Sequence, residues 1–381
     1  MIGHILKLML TRGLSMKRWN NFPRIEDVSH LDNTGFVIHI ALFMIHLEEQ
    51  NGNKLDKEFI IKRIIFNSFV PLILSDIDSG TKDYIKKVDA EIFDSLEKKS
   101  MEFFLSLDAP ESIKEDIRNT FYDNSKQSEL EIIKAAKKYA GFMECSINEK
   151  VFDGMYEVPL KNIEEYFVEN RKTIKSLDTI LRDNDYRKYL LQIRRLSHSF
   201  RWNQEKRIYK ISVMSHLVII AFLAYVIAKI ENENGADYNV LEFLLTALYH
   251  DIPEAITGDI ITPTKKAIPG FEELLGEVEV AMMNDYLFSY ISSDYKSEVY
   301  EYMLNPFSSD MGKIVKKADI FSALFEAKVE LNNGNLSYND IYRRVKKKTN
   351  QFSIGRASYL LKDVLDSFDS NDKGDINLAD Y

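Results

Sequence analysis

Cysteine is almost missing from this chain: Cys145 is the only one in 381 residues. No intramolecular disulfide framework is available, and no cysteine-based metal motif either. Glycine and proline are scarce as well, at 15 and 8. With few breakers and with apolar residues recurring three or four apart, the chain is expected to be all-α. Positive charge is not in excess, since the formal net charge is −9 and lysines and arginines are scattered among acids. No basic stripe exists to follow a nucleic-acid backbone, so only a local pocket for one phosphate remains open. The most apolar stretch, Leu217 to Ile230, carries Lys229 and falls short of the ~20 residues that span a bilayer. Met1 to Leu10 has too short an apolar run and no small-residue cleavage site for a secretory signal. The expectation is a soluble cytoplasmic protein with no membrane partner.

Apolar bulk is plentiful. The apolar fraction is 45%, with 23 Phe and 20 Tyr, enough for two domains of ordinary size. The two halves repeat one plan at an interval of about 180 residues. Arg12 to Asn20 matches Arg195 to Asn203, and the two tryptophans, Trp19 and Trp202, each sit in an Arg-Trp-Asn triplet. Phe36 to Phe43 lines up with His216 to Leu223, and Ile132 to Lys137 with Ile314 to Asp319. The expected organisation is two tandem helical bundles, over 1–180 and 181–365, with a polar acidic tail at 366–381. The charged stretch from Asn170 to Asp185 reads as a connecting helix or a linker. Asp369 to Gly374 resembles the start of a calcium loop, but Lys373 takes a ligand position and Asp380 stands at the twelfth, so it is read as tail.

Chemistry concentrates in the second half. His250-Asp251 ends the apolar run Leu241 to Tyr249, with His216 upstream and Asp319 downstream. Imidazole and carboxylate donors from three helices can converge inside a bundle and hold one divalent ion with open positions. A His-Asp dipeptide alone reads first as a hydrogen-bonded core pair, and its partners His216 and Asp319 turn it toward a metal site. Glu254 and Asp259, directly downstream, are candidates for orienting or deprotonating a water. Lys265 or Lys266 is a candidate for added positive charge, and His198 for a substrate contact or a plain surface position.

The order His216, His250-Asp251, Asp319 resembles the HD-domain metal phosphohydrolases. The string from Tyr249 to Asp259, with Thr262-Pro263-Thr264-Lys265, the Arg201-Trp202 pair and Lys317-Ala318-Asp319, resembles the 5'-deoxynucleotidase branch of that superfamily. The resemblance covers roughly Leu190 to Asn335 and implies a tandem HD-like fold. It implies one divalent ion (Mn, Co, Zn, Mg or Fe) on His216, His250, Asp251 and Asp319. Asp251, Glu254 and Asp259 become the catalytic candidates, with Glu254 activating the nucleophilic water. Asp259 would also contact sugar or water, Arg201 would hold the phosphate, and Trp202 would shape the sugar pocket. The implied reaction is release of phosphate from nucleoside, above all deoxynucleoside, 5'-monophosphates. Hydrolysis of nucleoside triphosphates or another small phosphoester is the alternative, as is a nucleotide sensor with slow hydrolysis. Relatives of this branch usually carry an acidic residue shortly before the first histidine, where this chain reads Met214-Ser215-His216.

The first half lacks this chemistry. In the alignment Phe36 replaces His216, Asn67-Ser68 replaces His250-Asp251, Pro71 replaces Glu254, and Lys137 replaces Asp319. Arg18, Trp19 and Asp76 persist. The expectation is a degenerate HD-like domain without metal. Single-domain members of the branch pair as homodimers, so the fused copy implies an internal pseudo-dimer, with further homo-oligomers as an alternative.

Overall fold

Helices account for nearly all regular structure in the computed structural model, which describes residues 1–74, 77, 79–260, 262–265 and 267–369. No strand occurs among them, and only two isolated β-bridges do, Lys17 with Ser29 and Phe200 with Ser212. Asp76, Lys266 and the calcium-like stretch beyond Asp369 lie outside the described residues.

Three helices form the frame of the first half: α1 (His30–Gln50), α2 (Lys57–Asn67) and α3 (Gln127–Glu149). Three others form that of the second: α4 (Val213–Glu233), α5 (Val240–Tyr249) and α6 (Asp310–Asn332). Their starts are written in side chains. Ser29, Asp56, Ser212, Asn239 and Ser309 each accept a backbone N–H of the first turn, which satisfies donors that a helix end leaves open. α1 and α4 are buried on nearly every side, as expected of helices apolar all round. By length and composition α4 could cross a membrane, and it outruns the apolar stretch seen in the sequence. It is instead the central helix of a protein core.

The internal repeat is visible atom by atom. Arg18 N donates to Val28 O at 3.0 Å, and Arg201 N to Ile211 O at 2.9 Å. His30 N donates to Met16 O and Val213 N to Ser199 O, both at 2.8 Å. Trp19 and Trp202 both adopt left-handed backbone, at φ 54° and 57°, and no other described residue but glycine does. This register corrects one sequence match. Ser29 and Ser212 cap equivalent helices, so the residue standing where His216 stands is Asn33, one turn before Phe36. Phe36 is an ordinary core residue. The slip has a physical cause: one apolar helix interior resembles another shifted by a turn, because both repeat with the helical period.

The halves share one continuous buried apolar cluster. Phe69 meets Phe222 edge-on at 5.3 Å, and Phe43 packs on Tyr295 at 4.9 Å. α1 and α4 cross closely at Gly35, where a Cβ would lie 2.7 Å from Met214 Sδ. The Asn170–Asp185 stretch is largely helical: Lys175–Arg182 buries Leu177 and Ile180. Ser176 N also donates to Glu48 of α1. At the other end Ala357–Ser367 packs on the N-terminal Ile2–Leu8, and Phe368 is still buried. Ordered packing therefore continues a few residues past 365.

Candidate metal centre

α4 delivers His216 from its second turn, fully buried. Its Nδ1 lies 3.2 Å from Glu326 Oε1, and a carboxylate can only accept, so Nδ1 carries the proton. His250, at the end of α5, donates from Nδ1 to the Ala247 carbonyl at 2.9 Å. Both rings are thereby fixed with a lone pair on Nε2. His216 Nε2 stands 3.2 Å from Asp319 Oδ1 and 3.9 Å from Asp251 Oδ2; His250 Nε2 stands 3.2 Å from Asp251 Oδ2. Neither Nε2 makes a hydrogen bond. Donor atoms of His216, His250 and Asp251 all lie within 4.8 Å of one another, and Asp319 joins from α6. Two buried imidazole nitrogens facing two carboxylates are a donor set that fits a divalent ion.

Charge is arranged tightly around the cluster. Arg201 Nη1 lies 3.3 Å from Asp251 Oδ2, and its Nη2 lies 3.7 Å from Asp319 Oδ1. Lys316 Nζ lies 2.8 Å from Asp319 Oδ2. Burial opposes ionisation of Asp251, but His250 and Arg201 outweigh it and hold its pKa well below the carboxylate range. Asp319 is pulled down likewise against burial, first by Lys316 and then by His216. Glu254 goes the other way. Burial raises its pKa well above the usual value, and the charges of Asp251 and Asp259 add to that. Its Oε2 is buried without a partner. Burial also raises Asp259, with Asp251 contributing.

A pocket of about 360 Å³ opens from this cluster. His250, Asp251, Glu254, Lys265 and Lys316 line it, with Glu272, Glu279 and Phe307 on other walls. Phe307 rests on His250 at a ring separation of 5.6 Å. Gly312 makes that possible, because a Cβ there would lie 2.1 Å from the Pro306 carbonyl oxygen.

Six of the residues singled out in the sequence thus form one constellation: His216, His250, Asp251, Asp319, Arg201 and Glu254. Asp259 feels the same charges, and Lys265 lines the pocket. Trp202 makes a contact that the sequence did not indicate. Its Nε1 donates at 2.8 Å to Glu326, the carboxylate that also holds His216. His198 bonds Glu26 of the first half at 3.1 Å, beside the Arg194–Glu26 ion pair.

Two residues escaped the sequence reading. Glu326 is fully buried and accepts from Trp202, from Arg207 at 3.1 Å and from Ser322 at 3.2 Å while holding His216. Its signal was the repeat itself, since Trp19 Nε1 donates to Glu144 at 3.0 Å in the first half. The second is Asp32 of α1. Its Oδ2 accepts from Ser29 N and Oγ, and its Oδ1 accepts from Ser212 Oγ and, at 2.7 Å, Ser215 Oγ. The carboxylate that meets Ser212 and Ser215, just before His216, therefore belongs to the other half.

The chain is similar to several known proteins. A 5'-deoxynucleotidase of Pasteurella multocida is 27% identical over 170 residues, covering 44% of this chain and 87% of that protein. One of Vibrio cholerae is 28% identical over 173 residues, covering 44% and 88%. A crystal structure of an HD-domain phosphohydrolase from Listeria innocua matches with 24% identity and a TM-score of 0.42, over 48% of this chain and 88% of that one. The family described as 5'-deoxynucleotidase YfbR-like matches twice, over residues 7–179 and 188–368. Carrying that family's fold once in each half, the chain belongs to the YfbR-like HD-domain phosphohydrolases.

Proposed function

We propose that the second half hydrolyses deoxynucleoside 5'-monophosphates to deoxynucleosides and phosphate, with one divalent ion held by His216, His250, Asp251 and Asp319. The observation that carries this reading is the pair of buried, unsatisfied Nε2 atoms facing two carboxylates at the head of a pocket. A bound ion would polarise a phosphate oxygen and make a water a better nucleophile. Arg201, fixed between Asp251 and Asp319, is placed to hold the phosphate through its planar fork. Glu254, whose raised pKa and unpartnered oxygen suit a proton acceptor, takes the proton of the attacking water. Asp259 orients that water or the sugar, and Lys265 and Lys316 balance part of the phosphate charge.

The volume suits a nucleoside monophosphate, within the range of roughly 300–1,000 Å³ common to small-molecule sites. Glu254, Glu272 and Glu279 on the walls disfavour the extra charge of a triphosphate. The first half we assign to a metal-free partner fused in place of a second subunit, as the shared core and Asp32 support. Buried, unpaired Cys145, its thiol pushed up to about 12 by burial, suits a reducing cytoplasm.

Phosphate release across a panel of nucleoside mono- and triphosphates, with Mn²⁺, Co²⁺, Mg²⁺, Zn²⁺ or Fe²⁺ added singly, tests the proposal. The wild type should release phosphate from monophosphates, and Asp251→Ala should lose at least ~10³-fold in kcat/KM. No release by the wild type, or unaltered release by the variant, would sink it.

A further inference from the structure

The two halves balance the same buried glutamate with different arginines. In the first half Glu144 pairs with Arg18 at 3.7 Å. Arg18 holds the position that Arg201 holds in the second half. Arg201, however, faces Asp251 and Asp319 at 3.3 and 3.7 Å, and Glu326 is balanced by a second arginine. Arg207 Nη1 lies 3.1 Å from Glu326 Oε2, and its Nε lies 3.4 Å from Glu330 Oε1. All three side chains are buried, and the Arg207 guanidinium rests over the Tyr338 ring at 5.7 Å.

Three positions account for the exchange. Arg24 matches Arg207, but it turns to Asp27 at 3.6 Å and to the Trp19 carbonyl at 3.5 Å. Lys210 occupies the place of Asp27 in the second half, so that position offers Arg207 no carboxylate. Glu330 of α6 matches Asn148 of α3. Both do one structural job, since Ile25 N donates to Asn148 Oδ1 at 3.0 Å and Ile208 N to Glu330 Oε2 at 2.9 Å. An amide suffices for that anchor. The charge of Glu330 adds a partner that draws Arg207 inward to Glu326.

We propose that Arg207, held by Glu330, is a positioning residue that supplies the counter-charge of Glu326 and so keeps Arg201 at the metal ligands, free to hold the phosphate. The inference rests on the phosphate role given to Arg201 above. Of the carboxylates around Arg201, Glu326 pulls on it hardest, so whichever arginine occupies Glu326 decides where Arg201 points. With Arg207 in place, the fork of Arg201 stays on Asp251 and Asp319. Without it, Arg201 turns to Glu326 as Arg18 does to Glu144. A buried carboxylate left without a counter-charge is strongly unfavourable, and that drives the turn.

Calorimetric titrations of the full chain test this, first with Mn²⁺ and then with inorganic phosphate on the Mn²⁺-loaded protein. The main variant combines Arg207→Met with Glu330→Asn. It removes arginine and partner together, and it keeps the amide anchor that the first half uses. Phosphate affinity should fall at least ~10-fold, while Mn²⁺ affinity should not fall, because His216 keeps Glu326. Arg207→Lys leaves a cation beside Glu326 and should retain most of the phosphate affinity. Should the double variant not fold, Arg207→Gln, which balances no charge, carries the test with the same expected loss. Unaltered phosphate affinity, or Mn²⁺ and phosphate affinities that fall by the same factor, would overturn the inference and leave the proposed function standing. A wild type that takes up Mn²⁺ but no phosphate would overturn both.

Discussion

The two halves share a skeleton and differ in their chemistry, which separates what the fold requires from what catalysis requires. The left-handed tryptophan, its bond to a buried glutamate and the serine cap of the central helix occur in both. They exist where no metal ligand does, so they belong to the architecture. His216, His250, Asp251 and Asp319 occur on one side only. The exchange between halves is also asymmetric: α1 carries Asp32 where α4 carries Ser215, and that one carboxylate serves both helix starts.

Replacing Asp32 should break the comparison most severely. Asp32→Ala removes the acceptor of four hydrogen bonds and leaves the Ser212 and Ser215 hydroxyls buried without it. We expect a loss of about 3 kcal/mol in a denaturant titration. Metal affinity should fall with it, because the turn that carries His216 loosens. Ser215→Ala, the matching change in the second half, should cost about 1 kcal/mol. Equal effects would show that the carboxylate does not tie the halves.

The buried glutamates give the next contrast. Glu326→Gln keeps the shape but removes the charge that holds Nδ1–H of His216, and such changes weaken metal affinity by roughly 10–100-fold. Glu144→Gln alters the matching residue, where no imidazole waits, and should leave metal affinity unchanged. Metal titrations of both variants decide the point. An equal loss in the two would mean that Glu326 acts through the fold and not through the histidine.

Much of this was legible in the sequence. Spacing and the shortage of breakers indicated helices, and the pattern His216, His250-Asp251, Asp319 located the donor set that the fold brings together. What escaped was long-range. Glu326 lies 110 residues from the histidine it holds, and Asp32 lies 183 from Ser215; no local pattern couples them. The resemblance implied a sugar-side role for Trp202, and its bond to Glu326, 124 residues away, was not legible in any local pattern. The match of Phe36 to His216 failed because apolar periodicity fixes the face of a helix and not its turn. Capping serines fix the turn, and Ser29 and Ser212 were in the sequence to be used.

The smallest expected effect concerns His39, whose counterpart in the second half by the same register is Phe222. His39 is buried, neither ring nitrogen has a hydrogen bond, and its ring meets Tyr249 edge-on at 5.4 Å. Burial pushes its pKa down from 6.5 to about 3, so the folded protein keeps it neutral while the unfolded chain takes a proton as pH falls below 6.5. Stability from this group is therefore complete above pH 6.5 and is lost on acidification toward pH 3. Between pH 7 and pH 5 the loss should be about 2 kcal/mol. His39→Phe writes the second half's residue into the first and removes the titration. The variant should match or exceed the wild type at pH 7, since it leaves no buried polar nitrogen unpaired, and its stability should fall less steeply as pH is lowered to 5. Denaturant midpoints at the two pH values measure this directly. Parallel losses in both proteins would show that His39 does not carry the acid sensitivity and that the two central helices respond to protons alike.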